Sequence, residues 1–102
     1  MIIRVSEVGA VVIEDHDLFT GFHVEAPAGH VAEDVASLLG EGARADGGQH
    51  VWIGADAVRH WVADLATPEW EEGFSEMIAY ASGRGWMDDA GTHLRAHLEH
   101  RN

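Results

Sequence analysis

At 102 residues, with 46% hydrophobic positions, four Trp, two Pro and no Cys, the chain reads as a single globular domain covering residues 1–102. This composition excludes disorder, collagen and a disulfide scaffold, and it removes thiolate nucleophiles, Cys-based zinc sites and iron–sulfur clusters. Eighteen acids against six bases, all six of them Arg, give a formal charge of −12, so neither nucleic acid nor an anionic membrane surface is an expected partner.

Met1-Ile2-Ile3 runs directly into Arg4 and Glu7, a pattern unlike a secretory leader, and no stretch approaches the ~18 apolar residues of a membrane span. The expected location is the cytoplasm. Abundant Ala, Gly, Asp and Arg without Lys is a composition of high-GC, bacterial type. Salt adaptation would also raise acid content, but it does not account for four Trp and eight His.

The first 25 residues read as strands. Ile2–Val5 and Ala10–Ile13 are short β-branched runs separated by Gly9, and Asp15-His16-Asp17 is the next turn. A strand over Phe19–Glu25 follows, with Gly21 as a bend and Pro27 as its terminator. From Gly29 the period changes. Val31, Val35, Leu38 and Leu39 form one helical stripe that Gly40 ends. Residues 40–49 read as a flexible connection with four glycines. Gly40-x-Gly42-x-x-Ala45 imitates a dinucleotide fingerprint, but it follows a helix instead of opening one, and so lacks the helix N-terminus that holds a pyrophosphate.

His50–Ile53 is a short strand, after which Asp56 can cap a helix with Val58, Trp61, Val62 and Leu65 on its apolar side. Thr67-Pro68 is an N-cap followed by the favoured first helical residue, and Glu69, Glu71 and Glu72 suit the positive end of the dipole. Trp70, Phe74, Met77 and Ala81 line the buried side of this third helix, and Gly83 or Gly85 closes it. Beyond it, Trp86-Met87 reads as a strand, Asp88–Gly91 as a turn and Thr92–Glu99 as an alternating strand with Leu94, Ala96 and Leu98 inward. A helix over the last residues is the competing assignment; eight residues of unbroken alternation after a turn favour the strand.

That choice decides the fate of His93-x3-His97-x2-His100. On a helix the three imidazoles would share a face and could hold a divalent ion. On a strand, residues four apart are about 13 Å apart, and His100 faces the other way. No metal ligands are therefore assigned and no cofactor is expected; a site shared with other strands is the remaining alternative.

The expected fold is α+β, a mainly antiparallel sheet of five or six short strands with three helices on one face. Its core side would carry Phe22/Val24, Val51/Ile53 and Leu94/Ala96/Leu98. The open side would carry His23/Glu25, His50/Trp52 and His93/Arg95/His97. Imidazole titrates near neutrality, so His23, His50, His93 and His97 are the candidate acid–base residues, with Arg95, Trp52 and Glu25 as candidate ligand-binding residues. Open sheet faces are often simply polar. Trp52, however, calls for a cover, and a second copy in a two-fold dimer is the commonest one. Asp15-His16-Asp17 and Asp88-Asp89 fit turn chemistry, and no Ser lies in a G-x-S-x-G context.

Two function classes follow. The first is a small acidic cytoplasmic binding or interaction protein, homodimeric through the His/Trp-bearing face. The second is a cofactor-free acid–base enzyme, an isomerase, cyclase or lyase, acting on a small hydrophobic metabolite; besides a second copy of the chain, a small hydrophobic or anionic molecule is the expected partner. If the helices leave a cleft against the sheet, Trp61, Trp70, Phe74 and Met77 would line it, with His60 and Tyr80 at its rim.

Overall fold

Strand and helix signals alternate along the chain, and the computed structural model converts them into nine elements. It describes the backbone of residues 1–101 and the side chains of residues 1–100. In order they are β1 (Ile2–Val5), β2 (Val11–Glu14), β3 (His23–Pro27), α1 (Ala32–Leu39), β4 (Ala43–Asp46), β5 (His50–Gly54), α2 (Ala55–Trp61), α3 (Pro68–Gly83) and β6 (His93–Arg101). The six strands form one sheet in the order β2-β1-β3-β6-β5-β4. The α+β class holds. The pairings β1–β2, β4–β5 and β5–β6 are antiparallel, whereas β1–β3 and β3–β6 are parallel, so the sheet is mixed.

Strand alternation buries one side. Ile3, Val5, Val24, Ala26, Val51, Ile53, Leu94, Ala96 and Leu98 are all at most 4% exposed, except that Phe22 of the expected core set is only half-buried. They join one core with Val35, Val58, Trp70 and Phe74 from the helices and Val62 at the end of α2. Among the described residues no polar or charged residue belongs to the buried core, so hydrophobic burial at about 25 cal/mol per Å² drives assembly.

The helices begin and end largely as their sequences dictate. Thr67 caps α3, its hydroxyl accepting from the Trp70 amide at 3.1 Å, and Pro68 occupies the first turn. Trp70, Phe74, Met77 and Ala81 are its buried face, with Trp70 stacked on Phe74 at 4.8 Å between centroids. In α1 the buried stripe is Ala32, Val35, Ala36 and Leu39. Val31 is instead the exposed N-cap residue, and its amide donates to Asp34. Asp56 does not cap α2; Gly54 does, and Asp56 pairs with Arg59 one turn on. Arg59 also bonds Glu71, clamping α2 to α3.

Two further corrections concern strands. Residues 40–49 are not a structureless connection, because Ala43–Asp46 forms β4 against β5. Gly42 makes that hairpin possible: a Cβ there would lie 2.5 Å from the Ala57 Cβ of α2. Trp86-Met87 contributes one bridge, Met87 to Leu94, and not a strand of its own. The alternating segment is β6, as its pattern predicts, and it lies in the middle of the sheet. No helix is long and apolar enough to cross a membrane among the described residues.

Candidate functional site

The pleat and register of the central strands assemble most of the candidate side chains on the face opposite the core. His23 pairs with His97, and His97 pairs on its other side with His50, so three imidazoles stand abreast on β3, β6 and β5. The His50 and His97 rings meet edge to face with centroids 5.4 Å apart. Asp46 on β4 extends this row beside His50, and its carboxylate accepts from Arg95 Nε at 2.6 Å. Trp52 lies opposite Arg95 in register, and the Arg44 guanidinium lies over its indole at 5.6 Å. The cover expected for Trp52 is thus partly supplied within the chain.

On the other side of His23, Glu25 accepts from Arg4 Nε at 3.1 Å and lies 3.0 Å from His23 Nε2. Arg4 also pairs with Glu14. His93 is the candidate that does not join the group. It sits about 13 Å along the strand from His97, where its Nδ1 meets Thr92 Oγ1 at 2.8 Å and Asp88 Oδ2 at 3.3 Å. Asp88 has a turn role, as its position suggests: Oδ1 accepts from the Thr92 and His93 amides at 2.9 and 3.1 Å.

The charges respond to these contacts. For His23, burial disfavours the charged ring, but the Glu25 carboxylate, the Gly21 carbonyl and the charge of Glu99 outweigh it and raise the pKa above the ordinary value. Glu25 moves down, held ionised by its bond to His23 and by Arg4, against burial. His50 moves down, because burial and then the charges of Arg95 and His97 oppose its protonation more than Asp46 favours it. The Asp88 carboxyl is lowered to about 2, chiefly by the Arg44 guanidinium at 2.9 Å and then by the two amides it accepts. The row therefore joins one imidazole inclined to stay charged with another inclined to stay neutral.

A cleft opens beside this row. It has a volume of about 610 Å³ and is walled by Phe19, Phe22, Met77, Tyr80, Trp86 and Leu94, with Arg95 at its edge. Its origin is a break in one lane of the sheet. On the side of β6 away from β5, β3 starts opposite His97, while Met87 pairs with Leu94. Phe22 and Trp86 approach from opposite ends of that lane and leave space between them; Gly21, at φ +62°, turns the chain away. Phe22, Trp86 and Arg95 also border a smaller hollow of about 250 Å³ that contains His50 and His97. The apolar cleft and the imidazole pair thus share three walls.

On the helix side, Gly73 admits the Phe19 ring, which would clash with a Cβ at that position. Tyr80 meets Trp86 edge to face at 5.8 Å, and Arg84 lies 5.2 Å from the Trp86 ring. Of the residues expected to line a cleft, Met77 and Tyr80 do so, whereas Trp70 and Phe74 belong to the core. His60 and Trp61 border a separate groove with Leu39, Asp56 and His93. Phe19, Phe22 and Trp86 line the cleft without a ligand-site signal in the sequence. A glycine in mid-helix at position 73, against helical propensity, was the one local signal of a ring packed close to α3.

Comparison with protein families, curated proteins and solved structures found no match to this chain.

Proposed function

We propose that this protein binds a small, mainly apolar molecule bearing one anionic or strongly polar end. The observation that carries this reading is the aromatic-walled cleft of about 610 Å³ sharing Phe22, Trp86 and Arg95 with the His50/His97 hollow. Apolar walls with a few convergent polar groups are the usual makeup of a small-molecule site. The apolar body would lie against Phe19, Met77 and Tyr80, and the polar end would face Arg95, which Asp46 orients. His50, inclined to remain neutral, can accept a proton or a hydrogen bond there, so acid–base chemistry on the bound molecule is the catalytic form of the same proposal. In keeping with the composition, we place this activity in the bacterial cytoplasm.

Calorimetric titration with decanoate and decanol tests the reading. Both should bind saturably, with the acid preferred about tenfold, the size of one charge-assisted hydrogen bond. Arg95→Gln should erase that preference, and Ala81→Trp should block both ligands by filling the cleft. Saturable binding by neither, or binding that Ala81→Trp leaves intact in a folded protein, would refute it.

A second reading is self-association through the open sheet face, supported by half-buried Ile2 and Trp52 on a face that carries no core. Two-fold dimers are the commonest oligomers. Light scattering at micromolar concentration should give twice the chain mass, and Trp52→Glu should return it to that of one chain. A strict monomer ends this second reading.

A further inference from the structure

The charged end of the open face holds a set of donors that the cleft does not use. His23 Nε2 lies 3.0 Å from Glu25 Oε2 and 3.0 Å from Glu99 Oε2. All three donor atoms fall within 4.8 Å of one another. They come from adjacent parallel strands in which Glu25 pairs with Glu99 and His23 with His97, so the sheet register fixes their spacing. Ligands bound at about 2.0–2.2 Å in tetrahedral or octahedral geometry lie roughly 3.0–3.5 Å apart, and the two imidazole–carboxylate separations match that requirement.

The surroundings orient these donors as the outer contacts of a metal site do. His23 Nδ1 is 2.7 Å from the Gly21 carbonyl oxygen. A carbonyl only accepts, so Nδ1 carries the hydrogen and Nε2 is directed at the two carboxylates. Gly21 holds a left-handed φ of +62° that aims this carbonyl back at the ring. Glu25 is oriented through its other oxygen, which accepts from Arg4 Nε at 3.1 Å. Backbone-to-imidazole and Arg-to-carboxylate contacts of this kind restrict ring and carboxylate to one pose.

We propose that His23, Glu25 and Glu99 form a binding site for a first-row divalent cation of the zinc type. One imidazole with two carboxylates is a mixed nitrogen–oxygen set, which suits such ions better than Mg²⁺ or Ca²⁺, whose preference is for oxygen alone. Three protein donors on an exposed sheet face leave the remaining coordination positions to water or a ligand. The proposal is independent of the cleft, since Arg95, Tyr80 and Trp86 take no part in it.

Calorimetric titration of the metal-free protein with ZnCl₂, followed in parallel by the imidazole resonances in NMR, tests the assignment. One equivalent should bind, and the His23 ring signals should shift. His23→Gln and Glu99→Gln should each weaken binding at least tenfold, whereas His50→Gln should leave it unchanged. Glu99 is half-exposed, so Glu99→Gln provides the test even if His23→Gln disturbs folding. Absence of zinc binding, binding undiminished in a folded Glu99→Gln, or binding lost in His50→Gln would overturn the proposal.

Discussion

Gly42→Ala measures how tightly the β4–β5 hairpin is pressed onto α2. Gly42 is outside the left-handed region, so the substitution carries no dihedral penalty and tests sterics alone. The new Cβ would lie 2.5 Å from the Cβ of Ala57, while carbon atoms pack at about 3.5–4.0 Å. Neither carbon is the tip of a flexible side chain, so hairpin or helix must move by about 1 Å. Movement there also stretches the bond from the Gly54 amide to the Gly42 carbonyl, which is 2.7 Å long.

Overpacking of this kind costs about 1–3 kcal/mol, and reduced freedom of the unfolded chain returns about 0.4–1 kcal/mol. A net loss of about 1–2 kcal/mol is expected, or roughly 4–16 °C in Tm for a domain of this size. Ala57→Gly alone should cost about 1 kcal/mol in helix propensity. In the double variant the clash disappears, so the losses should fall short of additivity by about 1–2 kcal/mol. Urea unfolding followed by Trp fluorescence gives all four corners of the cycle. A Gly42→Ala protein as stable as its parent, or losses additive within about 0.5 kcal/mol, would refute the close-approach argument.

Phe74→Ala should lower stability by about 3–5 kcal/mol, because Phe74 has no exposure and stacks on Trp70; a loss below about 1 kcal/mol in urea unfolding would contradict its core placement. Thr67→Ala should cost about 1 kcal/mol by removing the acceptor of the Trp70 amide, and Thr67→Ser should restore most of it in the same assay. NMR titration in metal-free buffer should find the His23 midpoint above, and the His50 midpoint below, the ordinary value of about 6.5. A raised folded pKa contributes stability that is complete below the unfolded value and fades as pH rises through the folded one. His23→Gln should therefore destabilise more at about pH 5.5 than at about pH 8, and an equal loss at both would contradict the ion pairing of His23.

Much of the architecture is legible locally. Thr67-Pro68 and the Trp70/Phe74/Met77/Ala81 stripe locate α3 because cap chemistry and helical period agree there. The alternation after Gly91 locates β6 and places His97 and Arg95 outward. β4 is not legible: Ala43-Arg-Ala-Asp46 lacks β-branched or aromatic residues, and pairing with β5 decides its state. Parallel pairing of β1, β3 and β6 depends on how distant segments cross, which strand composition does not encode. The same limit hides the site. Asp46 and Arg95 are 49 residues apart, and the donors at His23 and Glu99 meet only through the β3–β6 register. The cleft is a break in a sheet lane, and no single segment records a break.

The position of β6 has a consequence for synthesis. It is the last strand described along the chain, yet it alone joins β2-β1-β3 to β5-β4. A nascent chain that has not yet released residues 93–101 can form two separate partial sheets, each exposing an open strand edge, β3 on one and β5 on the other. Vectorial synthesis therefore delivers the strand that joins the two partial sheets after all the strands it joins. The interval before β6 docks is when edge-to-edge association between chains competes most strongly.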